Sequence, residues 1–273
     1  MKILYFIPNQ EVSPVTIRYA AKVATRMGVN VHVLAVSNDP EKLERAAATL
    51  ASAKHEFGDK TVTSEFISGD PITALQAELK RDTYTLLLMR VNRRRHLIPS
   101  RFRFMFHRIM RQSGVPVLMV RQASQKLDHM LVCTGGMQIS EPVVALSARL
   151  AGQAGMTASL LTVSAAVPSM YTGIKGMEET IEEVLKTDTP MAQHLRRSAE
   201  LLTDHGIDAD IKIRHGDVVE AILEEAVQGK YDLIVLGFSE GWTLRGLMLG
   251  NVTQQIINRA PCAVLVVKQP DQQ

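Results

Sequence analysis

Short apolar runs alternate with amphipathic stretches along the whole chain. In the first half the apolar runs have the length and continuity of buried parallel strands, and they are residues 1–7, 29–37, 61–68, 84–89 and 115–120. Between them, Ser13–Pro14, Asp39–Pro40 and Asp70–Pro71 each combine a capping side chain with a proline suited to the first helical turn. A fourth helix is predicted near residues 102–113. This order predicts an α/β fold, an open five-stranded parallel sheet with helices on both faces.

The second half of the chain repeats the first. Residues 69–122 align without a gap with residues 216–269 at an offset of 147, and the segment before them aligns at an offset of 127. A repeat of this length is a domain duplication, because solenoid repeats have periods of about 20–50 residues. We therefore predict two Rossmann-like domains, residues 1–122 and 128–269. The difference between the offsets, 147 − 127 = 20, is an insertion near residues 165–190, predicted as a loop and a short acidic helix.

The second copy shows the same sequence of elements. Its predicted strands are residues 129–134, 156–164, 208–216, 231–237 and 262–268. Its predicted helices begin at Ser140–Glu141–Pro142 and Thr189–Pro190 and include residues 218–227 and 252–260. The order of elements therefore predicts a second sheet built like the first.

Composition favours a cytoplasmic globular protein. The apolar runs are far shorter than the ~20 residues of a membrane span, and the first residues lack the cleavage pattern of a signal peptide. A net charge of +3 is too small to indicate a nucleic-acid binder by itself, and we do not expect a nucleic-acid partner. Cys133 and Cys262 fall within apolar strand-like runs, which favours buried thiols over a redox or disulfide role.

The most informative stretch follows the fourth strand of the second copy. There a strand ends in a glycine-spaced loop, GFSEGWTLRGLMLGN, which leads into a helix. Free backbone N–H groups and the helix dipole favour an anion at such a helix start, so the loop predicts a phosphate site. After the first strand of the same copy, Thr134, Gly135 and Gly136 can either form an anion-binding nest or make a tight turn.

Both halves resemble the universal stress protein family, through the five-strand order and the C-terminal signature LGNVTQQIINRAPCAVLVVK. The resemblance implies a stress-response binding protein that holds ATP or another adenine nucleotide, with Mg²⁺. Its nucleotide motif, G-x-x-G, nine residues, then G followed by Ser or Thr, places Gly237 and Gly250 at the first and third glycines. Glu240 replaces the second glycine, and Asn251 replaces the hydroxyl residue. The family's acidic residue after the first strand is also missing.

These positions define the candidate nucleotide site of the second copy. Ser239 is added from its place in the loop, and Val252 and Thr253 adjoin the motif at the helix start. The candidates are Thr134, Gly135, Gly136, Gly237, Ser239, Gly250, Asn251, Val252 and Thr253. Slow ATP hydrolysis is a further alternative, for which no general base or arginine finger can be named.

The first copy lacks the glycine loop. Arg90 and Arg103 replace its first and third glycines, and their bulk prevents the close backbone approach that phosphate needs. We therefore predict a degenerate domain without ATP. The same segment offers an alternative anion site, because arginine forks pair with phosphate oxygens. A solvated basic face is the plainer interpretation. The arginine cluster consists of Arg90, Arg93, Arg94, Arg95, Arg101 and Arg103.

The last strand of each copy is apolar and ends its sheet. Apolar edge strands must be covered, and the resemblance implies pairing through this strand. We therefore expect the two copies to pair through residues 117–120 and 264–267 as a pseudo-dimer within one chain, with a homodimer and an unidentified protein partner as further expectations.

Overall fold

The structure is a computed structural model that describes residues 2–91, 100–120, 126–135, 140–164, 181–238, 243–244 and 247–269. For residues 100–103, 112, 243–244 and 247–251 it describes the backbone course alone. Contacts within the chain divide it into two units, Met1–Leu127 and Asp128–Gln273.

The first unit contains five parallel strands that alternate with helices, as the apolar pattern predicts. The strands are β1 (Lys2–Pro8), β2 (Asn30–Val36), β3 (Val62–Ile67), β4 (Leu86–Arg90) and β5 (Val117–Val120). The helices are α1 (Pro14–Met27), α2 (Pro40–Ala53), α3 (Pro71–Arg81) and α4 (Ser100–Gln112). The sheet order is β3-β2-β1-β4-β5, with every neighbouring pair parallel, which confirms the predicted α/β fold.

The second unit repeats this arrangement. Its principal strands are β6 (His129–Thr134), β7 (Thr157–Ser164), β8 (Asp210–His215), β9 (Leu233–Phe238) and β12 (Ala263–Lys268). Its helices are α5 (Glu141–Ala154), α6 (Ile181–Lys186), α7 (Pro190–Thr203), α8 (Val218–Gln228) and α9 (Leu249–Arg259). The strands lie parallel in the order β8-β7-β6-β9-β12, which is the order of the first unit. The acidic helix predicted for the insertion is present as α6.

The loop after β9 differs from the predicted one in two ways. It contains a short antiparallel ribbon, β10 (Thr243–Leu244) paired with β11 (Leu247–Met248). The following helix, α9, begins at Leu249, whereas the pattern predicts its start at residue 252. Gly250 and Asn251 have low helix propensity, and the sequence therefore predicts a start of α9 that is three residues later than the observed one. That penalty matters little in a first turn, where the N–H groups need no intrahelical partner.

Side chains cap α2, α3, α7 and α8, but not all the helices for which a cap is expected. Asp70 accepts a hydrogen bond from the backbone N–H of Thr73 at 2.8 Å, and Asp217 accepts from Val219 at 2.9 Å and Glu220 at 3.0 Å. Ser13 precedes α1 without a side-chain cap, and so does Ser140 before α5. Both helices have a proline in the first turn, where its fixed φ suits a helix start.

Replacement of the Asp217 cap tests the start of α8. Asp217→Ala is expected to lower the free energy of unfolding by about 1 kcal/mol, because two N–H groups of the first turn lose their acceptor. Chemical denaturation of the full chain measures the change. Asp208→Ala removes an exposed loop aspartate of the same unit and serves as the matched control, with an expected change within about 0.5 kcal/mol. An equal loss in both variants contradicts the capping role.

Each sheet is buried at its central strands. Leu4 in β1 and Leu131 in β6 have no exposed surface, as expected for strands covered by helices on both faces. In the part of the chain that the structure describes, no helix combines the length and apolar character needed to cross a bilayer.

A charged group is also buried within the second unit. The side chain of Glu225 on α8 is 1% exposed, and the Nζ of Lys212 lies 2.9 Å from its Oε1. Arg214 donates from Nε to Oε2 at 3.0 Å, and the Tyr231 hydroxyl donates to Oε1 at 3.4 Å. Burial raises the pKa of Glu225, but the hydrogen bonds from Arg214 and Lys212 outweigh it and hold that pKa below its usual value. The buried carboxylate is therefore matched by two cations.

Candidate functional site

The strand order of the second unit creates a crevice at one edge of its sheet. From β6 the chain crosses through α5 to β7 on one side, while β9 lies on the other side. Between β6 and β9 the order reverses, and ligands of open α/β sheets bind outside the carboxyl ends of such strands. The β6–β9 register pairs Val132 with Val235. Thr134 and Gly237 each lie two residues beyond this last recorded pair, towards the carboxyl ends of the two strands.

Ser140 joins the two sides of this crevice. Its Oγ accepts a hydrogen bond from the backbone N–H of Gly135 at 3.3 Å and another from the Gln269 side-chain amide at 3.4 Å. Ser140 is 2% exposed and Gln269 is 7% exposed. The serine hydroxyl thus ties the end of β6 to the residue that follows β12, which explains why it does not cap α5.

Gly237 gives room to the Gln269 amide. A Cβ atom added at Gly237 would lie 2.3 Å from the Nε2 of Gln269. The neighbour is the far end of a flexible side chain rather than backbone, so the space above Gly237 is filled by a group that can move. This contact explains why a glycine is needed at this position.

The start of α9 contributes backbone donors to the same edge. Gly250, Asn251 and Val252 lie in its first turn, where N–H groups have no intrahelical acceptor. Thr253 is 2% exposed, and its Oγ1 donates to the carbonyl of Gly237 at 3.4 Å. Its hydroxyl therefore fastens α9 to β9, a positioning role that the sequence alone does not indicate.

The loop after β6 is described in part. Thr134 is buried, and its Oγ1 lies 3.0 Å from the Oγ1 of Thr162 on β7. Gly135 does not adopt a left-handed φ, and its N–H is bonded to Ser140. Gly136 and Ser239 lie outside the described residues. The predicted anion-binding nest includes Gly136, so this prediction lies outside the described residues.

The corresponding edge of the first unit is built from different groups. Pro8 stands at the position of Gly135 and has no N–H to donate, and Arg90 stands at the position of Gly237. Of the arginine cluster, Arg90 lies half-buried at the end of β4, Arg101 and Arg103 lie in α4 with only their backbone described, and Arg93, Arg94 and Arg95 fall outside the described residues. Phe104 in α4 is 66% exposed, and the Arg108 guanidinium lies 5.8 Å from its ring centroid.

The two cysteines are buried free thiols. Cys133 precedes Thr134 in β6, and Cys262 precedes β12. Burial raises the pKa of Cys262 to about 12 and also raises the pKa of Cys133. A thiol is reactive as its thiolate, so these side chains act as small apolar core residues, as the sequence predicts.

Comparison with known proteins identifies the family. The sequence profile of the "Universal stress protein family" matches residues 126–268, just over half of the 273 residues. The chain belongs to the universal stress protein family. A universal stress protein of Methanocaldococcus jannaschii is 26% identical over 151 residues, which are 55% of this chain and 88% of that protein. One from Thermus aquaticus is 37% identical over 92 residues, covering 33% of this chain and 66% of that protein.

Solved structures of universal stress proteins share the fold of the whole chain. The crystal structure of a universal stress protein from Archaeoglobus fulgidus has a TM-score of 0.68 to this chain at 16% sequence identity. The similarity covers 98% of both chains. At that identity the similarity shows the fold alone.

The sequence analysis did not predict two residues of the crevice. Ser140 bonds to both Gly135 and Gln269, and the Gln269 side chain occupies the space above Gly237. A signal for Gln269 was present, because the repeat aligns Gln122 with Gln269 directly after the last strand of each copy. The structural role of Gln269 comes from its contacts with Ser140 and Gly237. No spacing rule brings these three together before the sheet order is known.

Proposed function

We propose that this universal stress protein is a stress-response binding protein whose second unit holds an adenine nucleotide in the crevice between β6 and β9. The observation that carries the proposal is the meeting of Gly237 at the end of β9 with the first turn of α9, at the point where the strand order reverses. Free thiols at Cys133 and Cys262 agree with the expected cytoplasmic location.

Backbone groups would hold the phosphates. The N–H groups of Gly250, Asn251 and Val252 suit an anion at the N-terminus of α9. Ser239 and the loop from Thr134 to Gly136 would line the remaining sides, and Thr253 would keep α9 against β9. Mg²⁺ would accompany a triphosphate, where it offsets the negative charge of Glu240 in the same loop. The Gln269 amide must turn aside when the ligand binds, so we assign it the role of a plug over Gly237.

We further propose that the first unit, residues 1–122, binds no nucleotide and supports the second, residues 128–269. Pro8 has no N–H group where Gly135 has one, and Arg90 adds a bulky side chain where Gly237 has none. The proposed support is pairing of the last strands, Val117–Val120 with Val264–Val267, since an apolar edge strand needs cover. Anion binding by the arginine cluster stays an alternative prediction.

Calorimetry tests the nucleotide proposal. We expect ATP, ADP or AMP to bind the full chain at one site with a Kd below millimolar, and Gly250→Asp to weaken binding by about 100-fold or more, because a carboxylate then faces the phosphates. The variant should fold normally, because an acidic residue is favourable in a first helical turn. Titrations with and without Mg²⁺ separate the role of the metal.

Two further variants control this experiment. Ser52→Asp adds the same charge at an exposed position of α2 and should leave binding unchanged. Gln269→Ala removes the plug and should strengthen binding. The proposal fails if millimolar nucleotide gives no heat of binding with either the parent chain or Gln269→Ala, or if Gly250→Asp and Ser52→Asp bind equally well.

A further inference from the structure

A buried polar cluster lies at the amino edge of the first sheet, the edge opposite the strand ends that form nucleotide crevices. His32 is the third residue of β2, and Glu78 lies on α3. The Nε2 of His32 is 3.6 Å from the Oε1 of Glu78, and their side chains are 10% and 5% exposed. Glu65 on β3 completes the group, and one ligand atom from each of these three residues lies within 4.8 Å of the other two.

The imidazole nitrogen that faces this cluster has no hydrogen-bond partner. His32 as a whole is 8% exposed, and its Nε2 is a buried atom without a donor or acceptor within bonding geometry. Its other nitrogen, Nδ1, lies 2.8 Å from the Oγ1 of Thr63, the residue paired with it on β3. A histidine that binds a metal characteristically donates its second N–H to an oxygen in this way. In the tautomer with the proton on Nδ1, Nε2 directs a lone pair at a carboxylate oxygen, and a cation between the two atoms would stabilise that arrangement.

The charges of the cluster are unequal. Among the described residues, Glu65 and Glu78 share one guanidinium, that of Arg81, whose Nη2 lies 2.5 Å from an oxygen of each. The Tyr84 hydroxyl donates to Glu78. Lys2 is engaged with Asp82. One negative charge is therefore left over beside an open imidazole nitrogen.

The second unit shows how the same position is neutralised by the chain itself. The register that pairs His32 with Thr63 pairs Ser159 with Asp210 there, and the repeat aligns Glu78 with Glu225 and Tyr84 with Tyr231. Lys212 takes the place of Glu65, and its Nζ lies 2.9 Å from the Glu225 carboxylate. Where the second unit supplies a lysine and a serine, the first supplies a glutamate and a histidine. Among the described residues, the first unit offers its two carboxylates only the Arg81 guanidinium from α3, so a second positive charge would have to come from a bound cation.

We propose that His32, Glu65 and Glu78 form a binding site for a divalent transition-metal cation of the Zn²⁺ type at the amino edge of the first sheet. One imidazole nitrogen and two carboxylates are a donor set that zinc accepts, with water in the fourth position. Tetrahedral zinc with bonds of about 2.0–2.1 Å separates its ligand atoms by about 3.3–3.4 Å, close to the 3.6 Å between His32 and Glu78.

Two partly exposed side chains would adjust on binding. The side chain of Glu65 is 35% exposed and can turn to close its distance. Arg81 is 58% exposed, so its guanidinium can swing into solvent and release both carboxylates to the metal. Arg81 would therefore compete with the metal for the same oxygens. The repeat places Gln228, which carries no charge, at the equivalent position of the second unit.

Titration of the full chain with zinc chloride, in the absence of nucleotide and in competition with a chromophoric chelator, tests the site. We expect one equivalent of Zn²⁺ per chain and a loss of more than about 100-fold in affinity for His32→Ser, since loss of an outer-shell partner alone costs about 10–100-fold. Serine is the residue that the second unit carries at this position, so the variant should fold. Co²⁺ in place of Zn²⁺ should give visible absorption bands that disappear in the same variant.

Two more variants make the test decisive. His55→Ser removes an exposed imidazole that lies 3.9 Å from the carboxylate of Glu56 and should leave the affinity unchanged. Arg81→Gln removes the competing guanidinium and should tighten Zn²⁺ binding. The site is disproved if the chain binds no stoichiometric Zn²⁺, if His32→Ser binds as well as His55→Ser, or if Arg81→Gln fails to tighten binding.

Discussion

Replacement of both Lys212 and Arg214 by methionine is expected to lower the free energy of unfolding by about 3 kcal/mol at neutral pH. The carboxylate of Glu225 is 1% exposed, and without its cations it becomes a buried, uncompensated charge, which costs about 3–5 kcal/mol. We take the lower end of that range because the Lys212 and Arg214 side chains are 26% and 48% exposed, so water already screens part of each ion pair.

The pH dependence should reverse sign in this variant. In the parent chain the pKa of Glu225 is held below its ordinary value of 4.5. Its contribution to stability is therefore full above that value and is lost as pH falls through the folded-state pKa. In the variant, burial alone acts and raises the pKa. The folded state then binds a proton more tightly than the unfolded chain, so stability from this group increases as pH falls.

Chemical denaturation over a range of pH measures both effects, and hydrogen exchange of α8 assigns them to the second unit. The matched control, Lys42→Met with Arg45→Met, removes the same pair of residue types from exposed ion pairs on α2, where each pair is worth about 0–1 kcal/mol. If the two double variants lose similar stability, or if the slope with pH keeps its sign, the Glu225 cluster does not have the role assigned to it.

The second large effect is expected in the core strands. Leu4→Ala and Leu131→Ala should each cost about 3 kcal/mol, because each removes a fully buried side chain from the centre of a sheet and leaves a cavity. The two leucines are equivalent positions of the repeat. If the last strands of the two units pair as we propose, the units unfold together, and each substitution lowers hydrogen-exchange protection in both units.

Val227→Ala provides the control, because Val227 lies on α8 with 62% of its surface exposed, and its loss should change stability by less than about 0.5 kcal/mol. Two separate unfolding transitions, with Leu4→Ala shifting one of them and Leu131→Ala the other, would contradict the proposed pairing. They would leave the assignment of two domains intact.

The sequence and the structure agree most closely where local rules govern. The strand β6 spans residues 129–134 as predicted, and Asp39, Asp70 and Thr189 cap their helices as predicted. They differ where two local preferences compete. Gly250 and Asn251 disfavour a helix by propensity but are tolerated in a first turn, so α9 begins before the predicted residue. Ser140 has the residue type of a cap but uses its hydroxyl for Gly135 and Gln269.

The sequence by itself determined the α/β class, the duplication, the family resemblance and the position of the glycine loop. Each of these follows from a pattern along the chain, namely the order of apolar runs and helix starts, the offset of the repeat, or the glycine motif. The tertiary structure decided which distant residues meet. It placed Gln269 over Gly237, fastened Thr253 to β9, and set His32 against Glu78 while Lys212 neutralises Glu225. These contacts join residues from different strands and helices, so they depend on the order of the strands in the sheet and on their register. The spacing of residues in the sequence does not predict them.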